Sequence, residues 1–261
     1  MPFTLAHAAA ALPFRRTRLI PSAVVVGTFA PDFEYFARLA PGGHFGHTLP
    51  GVFVLDLPLS LVVLWLFHAY MREPIVALLP VPIQRRVVQG PSTFRFWGPA
   101  RLTLIAGSIL VGVGTHILWD SFTHSTFWLY RRWNLLSQTV RLPFVGTVHY
   151  YKLFQHCSTV AGIAVLLIWF LHWYSTTAPH QRLSPKPFSL AMKRGLVAFL
   201  ALIAFSGALI RTFVAVGRPN SPRMAETFLG DAVVTTITLI WLQLLAYGIV
   251  RSRQQKSSQQ A

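Results

Sequence analysis

Residues Leu102 to His124 read LTLIAGSILVGVGTHILWDSFTH, an apolar run that ends in ionisable side chains. A helix needs roughly 20 apolar residues to cross a bilayer, and this run supplies them. On a helix, the i, i+4, i+8 spacing puts His116, Asp120 and His124 on one face. Two imidazoles beside a carboxylate are common metal ligands, and polar groups next to lipid are costly without a partner. The stretch predicts a membrane helix carrying either a metal site or polar groups that pair with one another.

The whole chain has the composition of a membrane protein. Of its 261 residues, 53% are hydrophobic and 11% are charged, against roughly a quarter charged in soluble domains. Apolar windows of membrane-spanning length lie at residues 51–70, 102–119, 158–174, 195–216 and 229–250. The sequence therefore predicts an all-α polytopic protein with five transmembrane helices, a shorter candidate for a sixth at 19–30, and short interfacial helices. Residues 1–176 form the predicted metal-site domain, 177–250 add two helices, and 251–261 form a disordered polar tail.

The charge pattern indicates contact with lipid headgroups. The chain carries 23 Lys and Arg against 7 Asp and Glu, a net charge of +16. The basic residues occur in small groups between apolar windows, such as Arg15–Arg16 and Arg131–Arg132, which favours anionic lipids over nucleic acid as partners. Cys157 is the only cysteine, which excludes an intrachain disulfide and a thiolate metal cluster. The N-terminus lacks a basic leader before its apolar part, so we expect it to stay attached.

More imidazoles and carboxylates lie outside the opening stretch. His7 sits in an Ala-rich run, Asp32 and Glu34 follow Pro31, and a Gly-rich loop carries His44 and His47. A solvated turn explains Asp32 and Glu34 as well as ligation does. Asp56, inside the first window, is more readily explained as a packed carboxyl, and His149 and His156 as interfacial residues.

Alternation of the five windows tests whether these residues share a side of the membrane. It places one set at the same end of the bundle: His7, Asp32, Glu34, His44, His47, His116, Asp120, His124, His149, His156, Glu226 and Asp231. Asp56 lies towards that end, and only Glu73 among the acidic residues lies opposite. Imidazole and carboxylate concentrated on one side favour a borderline divalent metal such as Zn²⁺, with Mn²⁺ as the alternative.

Several short motifs resemble a known family. They are MPFTLAH at 1–7, GTFAPDFEYF at 27–36, GHTLPG at 46–51, HILWDSFTH at 116–124 and YKLFQHCST at 151–159. The series is similar to an uncharacterised bacterial family of multi-span membrane proteins, a DUF4184-like domain of unknown function. More distantly, it resembles membrane-bound metal-dependent hydrolases and zinc-dependent phospholipases C. That resemblance implies His7, Asp32, His47, His116 and Asp120 as metal ligands, and the missing His-x3-Glu motif argues against a three-metal centre.

These features lead to a functional hypothesis with two alternatives. The first is a bacterial plasma-membrane hydrolase that uses a divalent metal to cleave a phosphoester or ester of a lipid or lipid-linked substrate, with His124 or Glu34 as general base. The second is a non-enzymatic protein whose polar or metal cluster fixes helix packing. The third is a metal or proton transporter, which should need ionisable residues deeper on both sides. The sequence does not indicate a protein partner.

Overall fold

Five long apolar helices dominate the protein. The computed structural model describes residues 4–87, 94–143, 146–180 and 188–260. Within these residues, five segments are long and apolar enough to cross a membrane: Leu49–Leu78, Pro99–Arg132, Tyr150–Thr176, Leu190–Val216 and Pro222–Gln254. Each contains one of the five predicted windows, so the all-α polytopic fold is confirmed. The sixth span is not formed, because residues 19–30 contain only the seven-residue helix Pro21–Gly27, about 10 Å long.

The described elements follow a simple order. Before the first span come a 3₁₀ helix, two short α-helices and a 3₁₀ turn: Thr4–Arg16, α1 (Pro21–Gly27), Ala30–Asp32 and α2 (Phe33–Arg38). The first span joins α3 (Leu49–Gly51), a π-helical turn Val52–Asp56, α4 (Leu57–Leu66), a second π-helical turn Phe67–Met71 and α5 (Arg72–Leu78). The remainder comprises α6 (Val81–Val87), α7 (Pro99–Thr123), α8 (Trp128–Arg132), α9 (Asn134–Ser137), β1 (Thr139–Leu142), β2 (Gly146–His149), α10 (Tyr150–Thr176), α11 (Leu190–Val216) and α12 (Pro222–Gln260).

Two local features were not predicted. Strands β1 and β2 pair antiparallel, with Thr139 opposite His149, directly before α10. Helix α12 continues to Gln260, through the region that the sequence predicted to be a disordered polar tail. The division of the chain at residue 176 stays a prediction. By internal packing, residues 1–33, 44–64 and 95–175 group as a first unit and the rest as a second.

The first unit is built on a very close crossing of α1 and α7. A Cβ at Gly112 would lie 2.2 Å from the carbonyl oxygen of Val24, and one at Gly27 would lie 2.2 Å from that of Ile109. Only glycine allows two backbones this near, as at small-residue crossings of membrane helices. Ser108 Oγ then accepts a hydrogen bond from the N–H of Ile20 at 3.0 Å. The crossing fixes α7, and with it the predicted ligands, against the N-terminal segments.

We expect Gly112→Ala to destabilise the protein and Gly114→Ala to leave it unchanged or slightly more stable. The methyl at position 112 would meet backbone, which cannot move aside unless the two helices part. A Cβ at Gly114 has nothing within 4 Å, so alanine there gains roughly 0.5–1 kcal/mol of helix stability. Thermal unfolding in detergent, followed by helical circular dichroism, measures the difference. Equal melting temperatures for the two variants would contradict the close crossing.

Candidate metal centre

The five predicted ligands meet in the first unit, although they come from four separate segments. His7 lies in the 3₁₀ helix Thr4–Arg16, Asp32 ends the 3₁₀ turn Ala30–Asp32, His47 precedes α3, and His116 and Asp120 lie one turn apart on α7. A glycine in the loop before α3 allows a close contact with the segment that carries Asp32. A Cβ at Gly46 would lie 2.6 Å from the carbonyl oxygen of Pro31, so the loop rests directly on the turn that carries Asp32.

A backbone hydrogen bond orients the imidazole of His116. Its Nδ1 lies 2.8 Å from the carbonyl oxygen of Thr28. A carbonyl can only accept, so Nδ1 carries a proton, and in the neutral ring Nε2 then keeps its lone pair. That nitrogen lies 3.2 Å from Asp120 Oδ2 and 3.8 Å from Asp32 Oδ1, and makes no hydrogen bond. The ring is therefore held as a metal-ligating histidine is, with its lone pair facing two carboxylates.

His47 approaches the same two carboxylates. Its Nε2 lies 3.5 Å from Asp120 Oδ2 and 3.9 Å from Asp32 Oδ1. Ligand atoms at the roughly 2.0–2.1 Å bonds of tetrahedral zinc stand about 3.3 Å from one another. The shorter N–O separations, 3.2 Å at His116 and 3.5 Å at His47, are close to this value. The ligand atoms of Asp32, His47 and His116 form one group close enough to share a cation, and those of His7, His116 and Asp120 form a second.

Asp120 also presents its second oxygen to a pair of imidazoles. Oδ1 lies 3.5 Å from His7 Nε2 and 3.5 Å from His124 Nδ1. The ring of His7 stacks on that of His116, with centroids 4.1 Å apart, and Trp119 packs edge-on against His7. The carboxylate of Asp120 is thus the centre of the cluster. Its Oδ1 faces His7 and His124, and its Oδ2 faces His47 and His116.

Burial makes the cluster costly without a cation. The relative exposures of His7, Asp32, His116 and Asp120 are 1%, 1%, 0% and 2%. Three of their buried atoms have no hydrogen-bond partner: His7 Nδ1, Asp32 Oδ1 and His116 Nε2. Each such atom costs about 1–3 kcal/mol. These buried His and Asp groups can hold a metal ion, which would satisfy the inward-facing lone pairs.

The pKa shifts outside the membrane-spanning segments agree with this picture. Burial lowers the pKa of His7 to about 3, so its imidazole is neutral at pH 7 and can donate a lone pair. Burial also raises the pKa of Asp32, because the charged carboxylate loses its contact with water. Both shifts have the same physical cause, the loss of water around a charged form.

The two candidate bases have different surroundings. His124 lies at the rim, with 20% of its side chain exposed. Its Nδ1 is 3.1 Å from Thr123 Oγ1. Glu34 instead forms an ion pair with Arg38, one turn along α2. Two other imidazoles considered above are exposed and outside the cluster: His149, whose Nδ1 bonds the carbonyl of Ser137, and His156.

Sequence reasoning missed two supporting groups. Thr4 Oγ1 donates a hydrogen bond to Asp32 Oδ2 at 2.6 Å, and the Thr28 carbonyl holds His116. Thr4 and His7 are three residues apart, and residues at i and i+3 lie on one face of a 3₁₀ helix. That spacing could have revealed Thr4 if a 3₁₀ helix had been expected. A backbone carbonyl leaves no such signal, because every residue has one.

We expect Asp32→Asn to melt at the same or a higher temperature than the wild type in chelator. Asparagine has the same shape, can still accept from Thr4, and lacks the charge that burial penalises. With excess Zn²⁺ the order should reverse, because the wild type gains about 2.7 kcal/mol at a hundred times Kd and the variant has lost a ligand. Melting temperatures under both conditions provide the measurement.

A paired carboxylate is the matched control. Asp231 accepts a 2.7 Å bond from Arg211, so Asp231→Asn should lower the melting temperature with and without metal. An Asp32→Asn protein that behaves like this control would show that Asp32 is an ordinary structural carboxylate.

Comparison with known proteins identifies the family. A family model described as "Domain of unknown function (DUF4184)" matches residues 1–249, a range that includes the whole cluster. No curated protein and no solved structure matches the chain. Since the match covers far more than half of the sequence, the chain belongs to the DUF4184 family.

Proposed function

We propose that this protein is a metal-dependent hydrolase of the bacterial plasma membrane, acting on a phosphoester or ester of a lipid or lipid-linked substrate. One observation carries the proposal. The ring nitrogens of His47 and His116 lie 3.2–3.9 Å from carboxylate oxygens of Asp32 and Asp120, in a buried cluster whose rim reaches the surface at His124. A cluster that served helix packing alone would be expected to pair its polar atoms with one another.

The donor set favours Zn²⁺, with Mn²⁺ as the alternative. Imidazole nitrogen and carboxylate oxygen are borderline-to-hard ligands, and Cys157 does not belong to the cluster. His7, Asp32, His47, His116 and Asp120 would hold the ion. Such an ion activates water and polarises a phosphoryl or acyl oxygen.

The roles of the rim residues follow from their surroundings. His124 is the stronger candidate for general base, because its Nδ1 lies 3.5 Å from Asp120 and its ring is partly exposed. The Asp120 carboxylate would orient the ring and stabilise it once it is protonated. Glu34, which forms an ion pair with Arg38, remains the second candidate.

The position of the cluster suggests the kind of substrate. His116 and Asp120 lie in the last third of α7, which is part of Pro99–Arg132, a helical segment long enough to cross a membrane. At the end of α8, exposed Arg131 and Arg132 stand beside Trp133. Guanidinium groups bind phosphate and carboxylate through paired hydrogen bonds, and tryptophan favours the interface. We therefore infer that this segment binds an anionic headgroup, and that membrane lipids are the partners.

We expect purified wild-type protein to contain a divalent metal that His116→Ala and Asp120→Ala lose. Removing even an outer partner of a metal ligand costs roughly 10- to 100-fold in affinity, and loss of a ligand should cost more. Elemental analysis after dialysis against dilute chelator measures the content. His156→Ala is the control, since it removes an exposed imidazole outside the cluster. Equal metal content in all four proteins would refute the metal site.

We expect His124→Gln to keep its metal and to hydrolyse a phosphodiester lipid in mixed micelles about 10²–10⁴-fold more slowly. Glutamine fills similar space but cannot take up a proton, so the rise of kcat/KM with pH that reports the base should also disappear. Glu34→Gln in parallel assigns the role between the two candidates. Metal retention with no turnover by the wild type on any lipid ester would favour a structural cluster instead.

A further inference from the structure

An apolar groove lies directly beside the metal centre in the first unit. Its volume is about 690 Å³, and it lies between the 3₁₀ helix Thr4–Arg16, the second half of α7 and the first half of α10. Its walls include Phe14, Trp119, Phe154 and Ala161, and its few polar lining groups are single hydroxyls and the Cys157 thiol. A volume of this size is typical of small-molecule sites.

The groove and the metal centre share two residues. Trp119 forms part of the groove wall, and its ring packs edge-on against His7 at 5.5 Å between centroids. Thr123 lines the same groove, and its hydroxyl lies 3.5 Å from Asp120 Oδ1. Only the side chain of Thr123 would therefore separate a molecule at this end of the groove from the carboxylate of Asp120.

We propose that this groove holds the acyl chain of a membrane lipid and thereby places the lipid's ester or phosphoester at the metal centre. The placement of the headgroup rests on the proposed function, whereas binding of the chain does not. The groove would select for a long flexible hydrocarbon chain.

The surroundings of the groove favour an acyl chain over other apolar occupants. Two of its three walls belong to Pro99–Arg132 and Tyr150–Thr176, segments long and apolar enough to lie in the bilayer. Leu118 and Phe122 line the groove and remain exposed, so it opens to the outside of the unit. Around such helices, lipid acyl chains are the solvent, present at higher concentration than any other apolar molecule. The charge-free lining also excludes a headgroup from the groove itself.

Cys157 provides a direct measure of occupancy. It is exposed, lines the groove and is the only cysteine. The full-length protein in a steroid-based detergent, which has no flexible alkyl chain, is titrated with a palmitoyl lysophosphatidylcholine. Alkylation of the thiol by N-ethylmaleimide is followed by intact mass. At ten times Kd about one tenth of the grooves remain empty, so the rate should fall roughly tenfold and then level off.

Two matched controls make the measurement specific. Ala161→Trp places an indole in the groove and should abolish the dependence on lipid, whereas Val160→Trp, on the adjacent and 68% exposed position outside the lining, should keep it. In a Cys157→Ser background, a cysteine at exposed Ile168, outside the lining, should show no saturable protection.

Each outcome decides the proposal. Saturable protection lost only in Ala161→Trp supports it, and protection that is absent or equal at position 168 overturns it. Protection by a polyprenyl phosphate but not by the lysolipid also overturns it, because the occupant would then be an isoprenoid. Metal content and lipid hydrolysis are measured separately. Saturable protection without turnover would support the groove assignment and contradict the hydrolase proposal. Turnover without protection would support the hydrolase proposal and contradict the groove assignment.

Discussion

The close crossing of α1 and α7 is the constraint on which the rest of the first unit depends. Gly27 and Gly112 let the two backbones approach to a distance that any side chain would prevent. As a result, the Thr28 carbonyl just after α1 lies 2.8 Å from His116 Nδ1 on α7. This bond selects the tautomer of His116 and aims its other nitrogen at Asp120 and Asp32. The close contact between the two backbones thus determines the tautomer and the orientation of His116.

The same region concentrates charge where the chain is otherwise apolar. Four titratable residues are almost completely buried, and three of their polar atoms lack hydrogen-bond partners. Their combined cost is several kcal/mol, a large fraction of the stability of an ordinary domain. Sites that bind or react often carry strain that the surrounding packing supports. In this protein the glycine crossing and the burial of Ile105 and Ile109 on α7 provide that support.

Under the proposed function, the metal centre would bind the polar part of a lipid and the groove would bind its hydrocarbon chain. The cluster offers nitrogen and oxygen ligands, and the groove offers hydrocarbon walls, with Trp119 and Thr123 between them. A substrate with a polar ester and a long chain matches both surfaces at once. The arrangement accounts for a polar site on helices that are otherwise suited to lipid.

The sequence by itself determined the five spans and the sharing of one face by His116, Asp120 and His124. Both follow from local rules, the length of an apolar run and the period of a helix. Alternation of the spans also predicted that His7, Asp32 and His47 lie at the same end as His116, and the structure brings them together with it, although their roles as ligands stay predictions. The family resemblance is confirmed over residues 1–249.

Only the tertiary structure decided which atoms face one another. The 3₁₀ helix that puts Thr4 and His7 on one face, the hydrogen bond from His116 to Thr28, and the groove between three segments all depend on packing between residues far apart in the chain. Residues 19–30 illustrate the same limit, because their apolar composition allows a span and their proline and glycine instead give a short helix and a tight crossing. Hydropathy indicates whether a segment can lie in the hydrocarbon core of a membrane. Backbone geometry determines which other segments it packs against.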